Sequence, residues 1–144
     1  MTQASAPRAA VMTHVAIRTS EFDATLDFYR RYAGLHIVHE RNDAGIRVAW
    51  LSHAAEDPDF VIVVLQMPHA PASDPSPTDH FGFDVASRDE VDRIAKLASD
   101  QGCLRYGPAE GGAIVGYFCM LRDPSGNVCE FSHGQPINPR AIQR

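Results

Sequence analysis

Residues 13–18 read Thr-His-Val-Ala-Ile-Arg, and residues 79–85 read Asp-His-Phe-Gly-Phe-Asp-Val. In both stretches apolar residues alternate with other residues, which is the pattern of a β-strand with one buried face. Each stretch also has a histidine as its second residue, His14 in the first and His80 in the second. The two stretches therefore indicate that the chain is built from two similar halves.

The same series of elements follows each of these strands. The first helix is predicted to begin with Ser20 as its N-cap and to end at Gly34. The second begins at Ser87, with Glu90 completing a capping box, and ends at Gly102. Three strand-like runs follow each helix, at 35–40, 46–53 and 60–66, then at 103–107, 114–122 and 127–133. The predicted fold class is α+β, with two βαβββ modules forming one curved eight-stranded mixed sheet.

A proline-rich stretch separates the two halves. Residues 68–78 read PHAPASDPSPT and contain four of the ten prolines, which is typical of a linker. A length of 144 residues suits one domain. We therefore expect a single domain over 1–144, with a first module at about 13–67, a linker at 68–78 and a second module at about 79–133.

Composition excludes several classes of partner. Lys and Arg number 13 against 18 Asp and Glu, and the formal net charge is −5, without a basic run. This balance argues against a nucleic-acid or anionic-membrane partner. No apolar stretch approaches the ~20 residues that span a bilayer, and the three cysteines, Cys103, Cys119 and Cys129, lack CxxC spacing. We expect reduced thiols and a cytoplasmic protein.

Strand alternation predicts a metal site. If Val15 and Ile17 pack against a helix, His14 points to the opposite, concave face, and the same alternation places His80 and Glu130 there. Two imidazoles and one carboxylate suit a divalent metal: Fe(II) or Mn(II), and also Zn(II), Co(II) or Ni(II). A single histidine at a strand start more often makes only a hydrogen bond, but the equivalent places of His14 and His80 favour metal binding.

Other side chains are candidates for the wall of the same cup. Trp50 shares the alternation of Val48 and Ser52, so it either lines the cup or packs in the core. Tyr117 is either a proton donor on the cup side or a half-buried aromatic residue. Arg122 is a cation close to the predicted last strand.

The chain resembles the vicinal oxygen chelate superfamily, the group of glyoxalase I, fosfomycin-resistance transferases, extradiol dioxygenases and bleomycin-resistance proteins. The segments that carry the resemblance lie at 13–17, 24–29, 34–35, 80–83 and 123–131. It implies a cup that holds one divalent metal through His14, His80 and Glu130, and a small-molecule substrate chelated through two oxygens. It also implies a homodimer as the usual assembly, with the cup formed within one chain or across two.

The resemblance also bears on the reaction. The fourth ligand of glyoxalase I, a glutamate that also serves as base, would fall near Val63, where no carboxylate stands. The proton-transferring histidine and tyrosine of extradiol dioxygenases fall at Leu65 and Met120, and the nearest replacements are Tyr117 and His69.

The best interpretation is an Fe(II)-dependent, extradiol-like oxygenation of a catechol-type aromatic. Its candidate residues are Tyr117 for proton transfer and Trp50, Val63, Met120 and Arg122 for substrate binding. One alternative is a glyoxalase-like lyase or isomerase, or a thiol transferase, on the same metal. Another is a metal-free drug-binding protein of the bleomycin-resistance type.

Overall fold

The computed structural model describes residues 10–68 and 79–138. The predicted order of elements is present in both halves, and most bounds differ from the prediction by one to three residues. The elements of the first half are β1 (His14–Thr19), α1 (Phe22–Ala33), β2 (His36–Asp43), β3 (Ile46–Ser52) and β4 (Val61–Gln66). Those of the second half are β5 (Phe81–Asp84), α2 (Arg88–Asp100), β6 (Leu104–Glu110), α3 (Gly112–Val115), β7 (Tyr117–Arg122) and β8 (Val128–His133).

The eight strands form two four-stranded mixed sheets with the same topology. The first sheet has the order β1-β4-β3-β2 and the second has the order β5-β8-β7-β6. In each sheet the first strand pairs in parallel with the last strand of its half, and the other pairs are antiparallel. The strands that begin the two halves, β1 and β5, are therefore both edge strands. Most of the predicted linker, 69–78, lies outside the described residues.

Two local predictions were wrong. The N-cap of α1 is Glu21 and makes no side-chain capping bond, while the Thr19 hydroxyl accepts a hydrogen bond from the Glu21 N–H at 2.8 Å. The helix begins one residue later than predicted, so Glu21 and not Ser20 takes the N-cap position. Residues 114 and 115 belong to α3 rather than to a strand, and the Gly116 N–H bonds to the Gly112 carbonyl. The predicted caps at Gly34 and Ser87 are confirmed.

One hydrophobic core joins the two halves. Helix α1 contributes Phe22, Leu26 and Tyr29 to this core, helix α2 contributes Val91, Ile94 and Ala98, and strand β8 contributes Cys129 and Phe131. The ring of Tyr29 lies 6.1 Å from that of Phe81 and 6.5 Å from that of Phe83, centroid to centroid. Helix α1 of the first half thus packs against strands of the second half. None of the described helices is long and apolar enough to cross a membrane.

A buried polar network reinforces this packing. Tyr29 donates its hydroxyl hydrogen bond to Asp123 Oδ2 at 2.7 Å, and Ser125 donates to Thr19 Oγ1 at 2.8 Å. Tyr29 is fully buried and Asp123 is 4% exposed. These bonds connect α1 and β1 with the turn that leads into β8, so the two halves are held in one relative position.

Candidate metal centre

Two of the three predicted ligands lie together at the second sheet, Glu130 on β8 and His80 directly before β5. Atom Nε2 of His80 is 4.0 Å from Oε2 of Glu130. Glu130 is 5% exposed, and it lies opposite Gly82 of β5 and Met120 of β7 in the strand register. Burial of a carboxylate is costly unless a cation or hydrogen bonds compensate it. A buried carboxylate beside an imidazole is thus a suitable pair of donors for a divalent cation.

The third predicted ligand lies on the other sheet. His14 is exposed at the start of β1, and its Nδ1 is 3.0 Å from the Thr13 hydroxyl oxygen. Within residues 10–68 and 79–138, no three His, Cys, Asp or Glu side chains come together to hold a metal ion. In the described part of one chain, two of the predicted donors therefore lie at one place and the third elsewhere, so the donor types fit a metal centre but the three predicted ligands are not assembled there.

Glycine 82 leaves room for the carboxylate. A Cβ built on Gly82 would lie 3.2 Å from Glu130 Oε2 and 3.7 Å from Glu130 Cβ. The 3.2 Å distance to Oε2 is shorter than an ordinary van der Waals contact, so any larger residue at position 82 would displace the carboxylate. Alternation alone did not reveal this role, because a glycine in a strand has several possible explanations.

If His80 and Glu130 bind a divalent cation, Gly82→Ala should weaken that binding by about 10–100-fold, the usual effect of disturbing the surroundings of a ligand. The added methyl group shifts Glu130 by a few tenths of an ångström, while the exposed backbone of β5 keeps its pairing with β8. The measurement is the Mn(II) dissociation constant by calorimetry, with the melting temperature as the control for folding. An unchanged constant would show that the carboxylate position is not critical.

The four predicted substrate-binding residues all lie on the sheet faces that carry the predicted ligands. We call this side of each sheet the open face. In the first sheet it carries His14, Ala16, Trp50 and Val63, and in the second it carries Gly82, Glu130, Met120 and Arg122. Register places Val63 between Ala16 and Trp50 and Arg122 beside Val128. The Trp50 ring is 36% exposed, with the His39 ring at 4.7 Å and the Arg41 guanidinium at 5.6 Å from its centroid.

Tyr117 lies on the opposite face of the second sheet. It pairs with His133, two positions from the Cys119–Phe131 pair that belongs to the core. Its side chain therefore lies on the same side of the sheet as Cys119. Its hydroxyl donates a hydrogen bond to Asp92 of α2, and the Arg88 guanidinium lies 4.0 Å from its ring centroid. The bond to Asp92 raises the pKa of Tyr117. The structure does not bring this residue to Glu130, so we assign it no proton transfer.

An aromatic pair on the open face was missed by the sequence analysis. Tyr106 of β6 lies opposite Met120, which in turn lies opposite Glu130. Its ring stacks on that of Phe118 with centroids 5.8 Å apart, and Tyr106 is 56% exposed. Bulges on both sides of Tyr106 interrupt the register of β6, and such irregularities cannot be read from an alternating pattern.

The thiols lie away from the open face. Cys119 and Cys129 are buried in the core. Burial raises the pKa of Cys119 to about 12 and also raises the pKa of Cys129. Because the thiolate is the nucleophilic form, neither residue is suited to covalent catalysis.

Sequence comparisons identify relatives across most of the chain. The model of the Glyoxalase/Bleomycin resistance protein/Dioxygenase superfamily matches residues 11–131. The uncharacterized protein PA2024 of Pseudomonas aeruginosa is 38% identical over 130 residues, which cover 89% of this chain and 91% of that protein. Metapyrocatechase 2 of Cupriavidus necator is 29% identical over 123 residues, which cover 84% of this chain and 35% of that protein. The chain thus spans about a third of the latter relative.

Solved structures share the fold at low identity. The fosfomycin resistance protein FosX from Listeria monocytogenes, in complex with Mn(II) and sulfate, has a TM-score of 0.71 and 12% identity, covering 94% of this chain and 100% of that chain. The trypanothione-dependent glyoxalase I of Leishmania major has a TM-score of 0.68 and 16% identity, covering 88% of each chain. At these identities the likeness establishes the arrangement of strands and helices.

Proposed function

The chain belongs to the Glyoxalase/Bleomycin resistance protein/Dioxygenase superfamily, and we propose that it is a metal-dependent enzyme that oxygenates a catechol-type aromatic. The observation that carries this proposal is the His80–Glu130 pair on the open face, with Gly82 leaving room for the carboxylate. The sequence similarity to metapyrocatechase 2 favours the oxygenase interpretation.

The metal centre is proposed to form between two copies of the chain. Strands β1 and β5 are the edges of their sheets, and in the described residues each pairs with one strand only. Edge strands present unpaired backbone groups to a partner. Placing β1 of one copy beside β5 of the other would join two four-stranded sheets into eight strands and bring His14 to His80 and Glu130. The active form is then a homodimer with two equivalent sites.

Two imidazoles and one carboxylate leave coordination positions open for a bidentate substrate and O₂, and Fe(II) is the metal we propose for this set. Mn(II) is the second candidate, since the related fold of FosX binds it. A bound divalent cation lowers the pKa of hydroxyl groups that coordinate it. In the overall reaction O₂ is the only oxidant: one ring C–C bond beside a hydroxylated carbon breaks, and both oxygen atoms enter the product.

The chain's own residues hold and orient the substrate. Trp50, Val63 and Met120 supply apolar walls on the open faces, and Arg122 supplies a positive charge beside them. Glu130 is held by a buried central strand, so its carboxylate is positioned before the substrate arrives. The proposal assigns no proton transfer to Tyr117, whose hydroxyl donates to Asp92 on the other face of the sheet.

The test is the metal content of protein purified without added metal. We expect about one Fe per chain, its loss in His80→Ala, and its retention in His53→Ala, which changes an exposed histidine outside the open face. Wild-type protein should also produce a coloured ring-opened product from catechols under air. Absence of metal from the wild type, together with tight binding of a bulky drug, would instead support the metal-free alternative. Stoichiometric metal without O₂ uptake would favour a lyase, isomerase or transferase.

A further inference from the structure

We infer that the second sheet selects an aromatic substrate with an anionic substituent, Tyr106 and Phe118 binding the ring and Arg122 the anion. This inference rests on the proposed function for the reaction, but the recognition surface itself belongs to one chain. We call Tyr106, Phe118 and Met120 the aromatic shelf.

The aromatic shelf is partly open to solvent: Tyr106 is exposed, and Phe118 and Met120 are half-buried. Tyr106 leaves 56% of its surface exposed while its ring stacks on Phe118. A contiguous group of exposed apolar side chains, unlike a single exposed residue, often marks a ligand-binding surface. A planar ring placed on this pair gains both apolar burial and ring–ring contact, so an aromatic ligand fits the surface better than an aliphatic one.

The local backbone holds Tyr106 in this position. Register shifts occur on both sides of it, between Leu104 and Tyr106 and between Tyr106 and Ala109. Such bulges change the direction of a side chain and are common next to active sites. Gly107 has φ +90, and a Cβ there would lie 2.8 Å from the Phe118 carbonyl oxygen. The close approach of β6 to Phe118 therefore requires glycine.

The aromatic shelf lies close enough to His80 and Glu130 for one substituted ring to reach both. Tyr106, Met120, Glu130 and Gly82 form one row across four neighbouring strands. With strands ~4.8 Å apart, Tyr106 stands roughly 10 Å from Glu130 along the sheet. A benzene ring whose oxygens reach His80 and Glu130 would extend over Met120 toward Tyr106.

The positive charge of Arg122 lies beside the aromatic shelf. Arg122 is exposed and lies opposite Val128, two residues before Glu130 on β8. Among residues 10–68 and 79–138, carboxylates form ion pairs with Arg41, Arg47, Arg88 and Arg93, but not with Arg18, Arg30, Arg31, Arg105 or Arg122. Of the arginines without such a pair, Arg122 is the one that lies on the strand of Phe118 and Met120. A guanidinium binds a carboxylate through two parallel hydrogen bonds, so a ring carboxylate is the anion it would take.

The test compares three probes by calorimetry under nitrogen: catechol, 3,4-dihydroxybenzoate and its methyl ester. We expect the acid to bind about tenfold more tightly than the ester, the effect of one charge-assisted contact. Arg122→Gln should bring the two constants together, while Arg30→Gln, on the exposed surface of α1, should preserve the tenfold ratio. Tyr106→Ala should weaken all three probes about tenfold, and Tyr106→Phe should leave them unchanged.

The outcomes separate this inference from the proposed function. Equal binding of acid and ester by wild type, or a ratio that Arg122→Gln leaves intact, overturns the anion contact. Unchanged binding in Tyr106→Ala overturns the aromatic shelf. Metal content of the same preparations tests the function separately, and a metal-free preparation that still prefers the acid would support the recognition surface while contradicting the enzyme.

Discussion

A heterodimer of His14→Ala and Glu130→Ala chains is expected to bind one metal ion, whereas each variant alone binds none. In the proposed homodimer, one site combines His14 of one copy with His80 and Glu130 of the other. The heterodimer then has one site with all three ligands and one site that lacks both altered ligands. Co-expression with two different tags, tandem purification and elemental analysis would measure the metal per dimer.

A second heterodimer is the matched control, and the opposite metal content is expected for it. A wild-type chain paired with a His14→Ala/Glu130→Ala double variant contains the same four side chains, distributed differently. If each site spans two chains, this heterodimer binds no metal, because every site lacks one ligand. If each site forms within one chain, the wild-type copy binds one ion and the first heterodimer binds none. The pair of measurements thus distinguishes the two assemblies without reference to activity.

The face on which each side chain of β1 and β5 lies could be predicted from the sequence, because it depends on local alternation. Val15 and Ile17 face the core while His14 is exposed, as the alternation indicates, and the same parity holds for Gly82 and Glu130. The position of the two sheets relative to each other, and hence whether His14 approaches His80 and Glu130, could not be predicted, because it depends on how α1 packs. Tyr29 reaches Asp123, 94 residues later in the chain, and such a contact has no local signature.

The face of Tyr117 shows a second limit of sequence reasoning. Met120 and Tyr117 are separated by three positions, so in a regular strand they point to opposite faces. Tyr117 is a candidate only because its phenol lies close in the sequence to Met120, the position that the dioxygenase tyrosine would occupy, and not because of its alternation. The short α3 occupies Gly112–Val115, and the strand begins at Tyr117. Strand register, rather than residue type, decided which candidate reaches Glu130.

Asp123→Ala is expected to lower the free energy of unfolding by about 3–5 kcal/mol, because several buried donors lose their acceptor together. Oδ1 accepts hydrogen bonds from the Ser125 and Asn127 N–H groups at 2.8 and 2.9 Å, and Oδ2 accepts from the Tyr29 hydroxyl and the Asn127 amide. Chemical denaturation at neutral pH would measure the change. Asp59→Ala, in an exposed loop, is the matched control and should change stability by less than about 0.5 kcal/mol.

The Tyr29 bond accounts for a defined part of this loss. Tyr29→Phe removes one hydroxyl and should cost about 1–2 kcal/mol in wild type, but much less in the Asp123→Ala background, where the acceptor is already absent. Equal costs in the two backgrounds would show that the hydroxyl and the carboxylate act independently.

Alkaline pH provides a second test of the buried surroundings of Tyr29. Burial, followed by the nearby Asp123 carboxylate, raises the pKa of Tyr29 well above its ordinary value of 10.0. The unfolded chain therefore ionises this phenol at a pH where the folded chain keeps it protonated. The stabilisation is fully present below about pH 10 and decreases as pH rises above it. Tyr29→Phe should flatten this alkaline decrease, and an identical pH profile in the variant would mean that another group causes it.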